Sequence, residues 1–319
     1  MLGLMIHAHP RLAMPPETRF VLECWRRREE WGDLSTWRLR RDLGDAIVGA
    51  GGTHSNFRDL QLRRWATRHR IVQEARTLGT AFGIVFDEFA KAHGKARWGD
   101  KRPAYFEEVD VLLRLFPDAQ IVHIVRDGRA TVASLKGMPW WPVPSTASMA
   151  TWALSEWCLQ RDAARLPADT FHSLRYEDLV RDPRSELTRL CAFLDEEFDE
   201  AMLEPHKVRD VVPERKTWHK NLDEGVNASA VDAWRKRLDP WEIGLMEQAL
   251  GRQLTRNGYL LSGRGTRPPL RKRADYHASF QRQRLDAVVR WRREEKQSRA
   301  ATTPVAARLT SGQRQLAGS

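Results

Sequence analysis

Cysteine is scarce, with Cys24, Cys158 and Cys191 the only three in 319 residues. So few thiols, so widely spaced, exclude a disulfide framework and a thiolate metal site, and they suit a reduced, cytoplasmic protein. No apolar run approaches the ~20 residues a membrane-spanning helix needs. The apolar start at residues 1–6 is too short for a signal peptide and has no basic region before it. No pair of the cysteines has metal-ligand spacing and no ligand cluster is seen, so no metal is expected. A Gly-x-x-x-x-Gly-Lys-Ser/Thr loop is also missing, which excludes the usual phosphate cradle of nucleoside kinases. Acidic side chains fall short of basic ones, 42 against 53, leaving a net charge of +11. That balance points to an anionic ligand, nucleic acid or a membrane surface.

A hydrophobic content of 41% and thirteen Trp argue for a folded globular protein, and at 319 residues one large α/β domain plus a tail is the natural expectation. The expected division is a domain at 1–262 and a basic extension at 263–319, part helical around 276–293 and part disordered. Arg and Lys dominate 264–299, yet no nucleic-acid motif accompanies them, so no specific nucleic-acid partner is expected. The stretch 120–134 organises the rest. Ile121 to Val125 is almost unbroken apolar, the pattern of a parallel strand buried on both faces. Asp127 can cap a following helix, and Gly128 permits a tight turn. Arg126 then stands at the carboxyl end of a strand, where open α/β sheets bind ligands. Ser134 lies roughly 9 Å along the helix at ~1.5 Å per residue, within reach of a shared anion. A buried strand followed by a surface Arg–Asp pair fits the same residues.

Upstream, Pro15 and Pro16 force an extended approach, and Glu17 falls near the first turn of a helix through Phe20 and Trp25. There it is either a favourable partner of the helix dipole or a carboxylate available as a base. Lys101, in the turn before Pro103, is either a solvated surface group or a fixed cation for a leaving group. Helices are expected at 81–93, 105–116, 148–166, 184–194, 230–238 and 240–252, and a strand at 171–176. The polar run 208–231 reads as a mobile loop over a site.

Three segments together resemble the sulfotransferase family, whose donor is 3′-phosphoadenosine 5′-phosphosulfate. They are Arg126-Asp-Gly-Arg-Ala-Thr-Val-Ala-Ser134, Arg175-Tyr-Glu-Asp-Leu-Val-Arg-Asp-Pro183, and His7-Ala-His-Pro10 through Glu17-Thr-Arg19. The element Lys101-Arg-Pro103 and the run Trp218 to Asn227 extend the likeness in the family's order. The resemblance implies a three-layer α/β/α P-loop-type fold with a central parallel sheet. It implies that Arg126 and Ser134 hold the 3′-phosphate, that Tyr176 contacts the nucleotide, and that Trp218 and Asn227 belong to a loop over the donor. Glu17 would be the base, Lys101 the cation on the bridging oxygen, and Arg19 a partner of the carboxylate or the sulfuryl oxygens. The acceptor would be a hydroxyl on a protein tyrosine, carbohydrate, lipid or small molecule. The family's opening strand and Pro-Arg-Ser-Gly-Thr-Thr-type loop for the 5′-phosphosulfate are not in this sequence, so the fold is expected to be N-terminally truncated. Trp218 and His219 also stand where a serine is expected, and Ala233 stands where a lysine would precede Trp234. A catalytically impaired nucleotide-binding or interaction protein is the alternative.

Overall fold

The computed structural model describes residues 1–49, 55–213, 231–300 and 303–308. Its elements fall into two units: Met1–Ala119 with Glu196–Gly225 and Arg299–Ser319, and Gln120–Asp195 with Val226–Ser298.

In the first unit the helices are α1 (Leu2–Ala8), α2 (Phe20–Arg26), α3 (Trp37–Ile47), α4 (Arg64–Glu74), α5 (Leu78–Ala92) and α6 (Val109–Leu115). Two short strands, β1 (Leu12–Ala13) and β2 (Arg97–Trp98), pair in parallel, with Leu12 opposite Arg97 and Ala13 opposite Trp98. Proline limits β1 on both sides, since Pro10, Pro15 and Pro16 offer no N–H to a ladder. Helix α5 carries the core: Leu78, Ala81, Phe82, Val85, Phe86 and Phe89 are all buried at helical spacing. It begins three residues before the expected 81. Thr77 and Thr80 form a reciprocal capping box there, each hydroxyl accepting from the other's backbone N–H at 3.0 and 2.9 Å. The expected helix at 105–116 is split into a 3₁₀ turn at Pro103–Glu107 and then α6, because Pro103 opens a tighter turn first.

In the second unit the elements are β3 (Ile121–Val125), α7 (Gly128–Lys136), α8 (Ser145–Arg165), β4 (Phe171–Arg175), α9 (Tyr176–Arg181), α10 (Pro183–Leu194), α11 (Trp234–Arg237), α12 (Pro240–Arg256) and α13 (Leu270–Ala300). Strands β3 and β4 are parallel and in register from Ile121 opposite Phe171 to Val125 opposite Arg175. Their connection runs through α7 and α8, the long crossover that parallel strands require. Among the described residues the parallel strands form two separate two-stranded pairs, where one central sheet was expected. The expectation that β3 is buried on both faces is corrected. Only Val125 is buried and Ile124 is 38% exposed, because a two-stranded pair leaves a face uncovered.

The described residues 270–300 and 303–308 pack onto the two units. The helix expected around 276–293 runs Leu270–Ala300 and buries Tyr276 and Ala287. Residues 303–308 bond within the first unit. Pro304 and Val305 carbonyls accept from the Leu78 and Gly79 amides at 3.0 and 2.8 Å, and the Ala307 amide donates to the Leu115 carbonyl at 2.8 Å. Among the described residues no helix is long and apolar enough to cross a membrane.

Candidate functional site

The chemistry-bearing residues of the first unit are assembled by the β1–β2 pairing. The two strands run side by side, so the segments that leave them stay close: four residues beyond Ala13 comes Glu17, and three beyond Trp98 comes Lys101. Lys101 Nζ donates to Glu17 Oε1 across this gap, joining residues 84 apart in sequence. The ladder extends one step past the strands, with the Gly99 amide donating to the Ala13 carbonyl at 2.9 Å. A Cβ on Gly99 would meet Met14 Sδ at 2.6 Å, so Met14 would have to shift to admit one.

Glu17 was expected in the first turn of a helix; the structure puts it before α2, whose N-cap is Arg19. The residues around it are tied to the loop at 55–56 instead. The Arg19 amide donates to the Ser55 carbonyl at 3.0 Å, and Asn56 Nδ2 donates to the Glu17 carbonyl at 3.4 Å. Its carboxylate therefore partners Lys101 and not a helix dipole. Arg19 is exposed, with its side chain outside that pair.

Two buried histidines shape the approach to β1. His7 Nδ1 accepts the Met14 amide at 3.0 Å, which requires a neutral ring. Burial first, then nearby Lys95, pushes His7 down to about 4. His9 Nδ1 accepts the Arg11 amide at 3.1 Å, and its Nε2 bonds the Glu197 carbonyl at 2.9 Å. Lys95 Nζ bridges the carbonyls of His7 and His9. The sequence marks this His-x-His-Pro run without disclosing the role, because either nitrogen of each ring fits an apolar turn.

In the second unit the β3–β4 register does the same work. Val125 lies opposite Arg175, so the residues that follow, Arg126 and Tyr176, emerge together. The Arg126 guanidinium carbon stands 4.5 Å from the centroid of the Tyr176 ring, a cation–π contact between the two motifs. The Arg126 carbonyl accepts Trp152 Nε1 at 3.0 Å. Asp127 caps α7 as the sequence implies, its Oδ1 accepting the Arg129 amide at 2.8 Å. The Asp127 amide donates in turn to Glu177 Oε1 at 3.0 Å, and Tyr259 OH donates to Glu177 Oε2 at 2.8 Å. Glu177 thus joins the two motifs directly, a role that neither motif alone reveals. Ser134 is half-buried on α7, two turns from the cap.

Two details differ from the sequence reading. Gly128 was expected to serve a turn. Its necessity comes from packing, since a Cβ there would meet the Trp152 ring at 2.7 Å and Met246 Cε at 2.8 Å. Asp127 is not at the surface as a surface Arg–Asp pair would need: it is 6% exposed and ion-paired with Arg129. Arg129 is 2% exposed and forks onto Asp127 at 3.0 and 2.7 Å, with further bonds to Glu247 at 2.6 Å and the Leu260 carbonyl at 2.9 Å. Trp218 and Asn227 lie outside the described residues.

Comparison with known proteins bears on these two groups of residues. The profile described as "Sulfotransferase family" matches residues 1–200, and that described as "Sulfotransferase domain" matches residues 153–258. The solved sulfotransferase domain from the curacin biosynthetic pathway is similar over 82% of this chain and 93% of its own, with a TM-score of 0.56 and 19% identity. The sulfotransferase domain from the Synechococcus PCC 7002 olefin synthase is 25% identical, with a TM-score of 0.52, covering 75% of this chain and 83% of its own. No curated protein matches this chain.

Proposed function

The chain belongs to the sulfotransferase family, and from that premise we propose that it moves a sulfuryl group from 3′-phosphoadenosine 5′-phosphosulfate to an acceptor hydroxyl. The observation that carries this reading is the Glu17–Lys101 pair, a carboxylate and an ammonium brought together from segments 84 residues apart. Sulfuryl transfer, like phosphoryl transfer, asks for positioned reactants and for cations over developing charge. Glu17 takes the proton of the attacking hydroxyl as its oxygen bonds to sulfur. Lys101 neutralises the charge that collects on the bridging oxygen as the S–O bond to the 5′-phosphate breaks, releasing 3′,5′-adenosine bisphosphate. Both roles require the pair to part when the sulfuryl group enters, and its exposure, 35% for Glu17 and 54% for Lys101, keeps that separation inexpensive.

Arg126, in cation–π contact with Tyr176, and Ser134 are assigned to the 3′-phosphate, with Tyr176 also against the nucleotide. A planar guanidinium suits bidentate phosphate recognition. Arg19 is assigned to the sulfuryl oxygens, its exposed side chain being available to them. Trp218 and Asn227 are assigned to the donor-covering loop on the family pattern alone.

Titration with 3′,5′-adenosine bisphosphate tests the nucleotide assignment. Arg126→Ala is expected to weaken binding by roughly 10- to 100-fold, the range of a charge-assisted hydrogen bond. Equal affinity in wild type and variant, or no binding in wild type, overturns it. Glu17→Gln is then expected to lower kcat by about 10²- to 10⁴-fold against a panel of phenolic, sugar and aliphatic hydroxyls, with nucleotide binding retained.

A further inference from the structure

The Glu17–Lys101 pair does not hold its own geometry, because exposed ion pairs between long side chains contribute little against rotamer freedom. A second link lies immediately behind it. Thr18 Oγ1 donates to Asp100 Oδ2 at 3.2 Å, and Tyr105 OH donates to the same oxygen. Thr18 follows Glu17 and Asp100 precedes Lys101, so the two links are successive rungs between the same pair of segments. Thr18 is 1% exposed, and the inner rung is therefore screened where the outer one is wet. The Gly99 amide bonds the Ala13 carbonyl at 2.9 Å just before it, which ties the two segments together.

We propose that Asp100 is the positioning residue of the Glu17–Lys101 pair, fixing the spacing of base and cation through its hydrogen bonds to Thr18 and Tyr105. What the pair then does rests on the sulfotransferase reading; its geometry does not. The charged and titratable groups around Asp100 agree with an acceptor role. Burial, and then the Asp100 charge, push the Tyr105 phenol upward, so the shared proton stays on tyrosine. Asp100 itself is pushed up to about 6 by burial, against favourable contributions from Tyr105, Thr18 and the Lys101 amide and ammonium, and Arg102 lies near the same phenol. At neutral pH it is a carboxylate with two donors on one oxygen. Its other oxygen, Oδ1, is buried and meets no hydrogen bond of ordinary geometry.

The test compares Asp100→Ala and Asp100→Asn by two independent measurements. In the first, surface amines are acetylated with limiting acetic anhydride, and Lys101 modification is read by peptide mass spectrometry. Asp100→Ala is expected to raise Lys101 labelling by about threefold or more, while Asp100→Asn, whose amide oxygen accepts the same two bonds, stays near wild type. In the second, Asp100→Ala is expected to lower kcat by about tenfold or more with donor KM within about twofold, and Asp100→Asn to recover most of that loss. Unchanged Lys101 labelling in Asp100→Ala overturns the positioning role. So does a kcat loss as large in Asp100→Asn as in Asp100→Ala, since the hydrogen bonds then carry none of the effect. Should Asp100→Ala not fold, the Thr18→Val/Tyr105→Phe double variant removes both donors and is held to the same labelling outcome. A wild type that neither binds nucleotide nor turns over sinks the sulfotransferase reading alone, leaving the labelling result to decide this inference.

Discussion

Arg126 and Arg129 belong to one short motif and have opposite environments. Arg126 leans on one aromatic face at the end of β3, while Arg129 is buried over Trp234 at 4.2 Å and shared between two carboxylates. Arg129→Ala removes the cation shared by Asp127 and Glu247, an expected loss of about 3–5 kcal/mol in urea unfolding. Arg126→Ala is expected to cost no more than about 1 kcal/mol, the scale of a partly exposed cation–π contact, while abolishing most nucleotide affinity. A large stability loss in Arg126→Ala contradicts this division. The motif's spelling cannot make the distinction, because both residues are arginines beside the same Asp127. Burial separates them, and burial depends on Trp234 and Glu247, more than a hundred residues downstream.

At the scale of elements, α7 and α8 meet at Gly128. Adding one methyl presses on an indole ring that cannot retreat, so Gly128→Ala is expected to cost about 1–3 kcal/mol by chemical denaturation. Gly3→Ala on α1 is the control: nothing lies within 4 Å of its added Cβ, and neutral or slightly raised stability is expected. Helices α8 and α12 meet at Glu156, which is 1% exposed and accepts Asn257 Nδ2 at 2.5 Å. Burial pushes this carboxyl from 4.5 up to about 7. The folded state then holds the extra proton between those values, so Glu156 costs stability progressively as pH rises from about 4.5 to 7. Removing the charge with Glu156→Gln is expected to flatten that part of the stability–pH curve, by roughly 3 kcal/mol at pH 8. A parallel curve for the variant rules out the assignment. Most helices were legible in the sequence, since α5, α8, α10 and α12 follow their apolar spacing closely. Starts were less uniformly legible: α12 begins at the expected Pro240, but α5 begins three residues early behind a side-chain cap at Thr77, whose strength periodicity does not report.

At the scale of the whole chain, the basic C-terminal segment separates two expectations. A solvated extension adds nothing to stability, whereas this one buries Tyr276 in the second unit and supplies backbone bonds to Leu78, Gly79 and Leu115 in the first. Removing residues 263–319 exposes both cores, and thermal denaturation is expected to register a fall in Tm of roughly 10 °C or more. An unchanged Tm identifies a dispensable tail. The high density of Arg and Lys concealed this role: charge reports the exposed face of α13, while the buried face is carried by a few residues, Tyr276, Phe280 and Ala287 among them.

The sequence by itself determined the residue types and order on which the functional reading depends: Glu17, Lys101, Arg126, Ser134 and Tyr176, with strands leading into the turns at Arg126 and Tyr176. Those signals are local, written within a few positions by apolar runs, prolines and caps. Only the tertiary structure decided which of them meet. Parallel pairing of β1 with β2 brings Lys101 onto Glu17, and that of β3 with β4 brings Tyr176 beneath Arg126. It also supplied the supporting residues Asp100, Glu177 and Arg129, whose roles come from burial. A polar side chain becomes a link between distant segments once water is excluded around it, and the segments that exclude the water are remote in the chain.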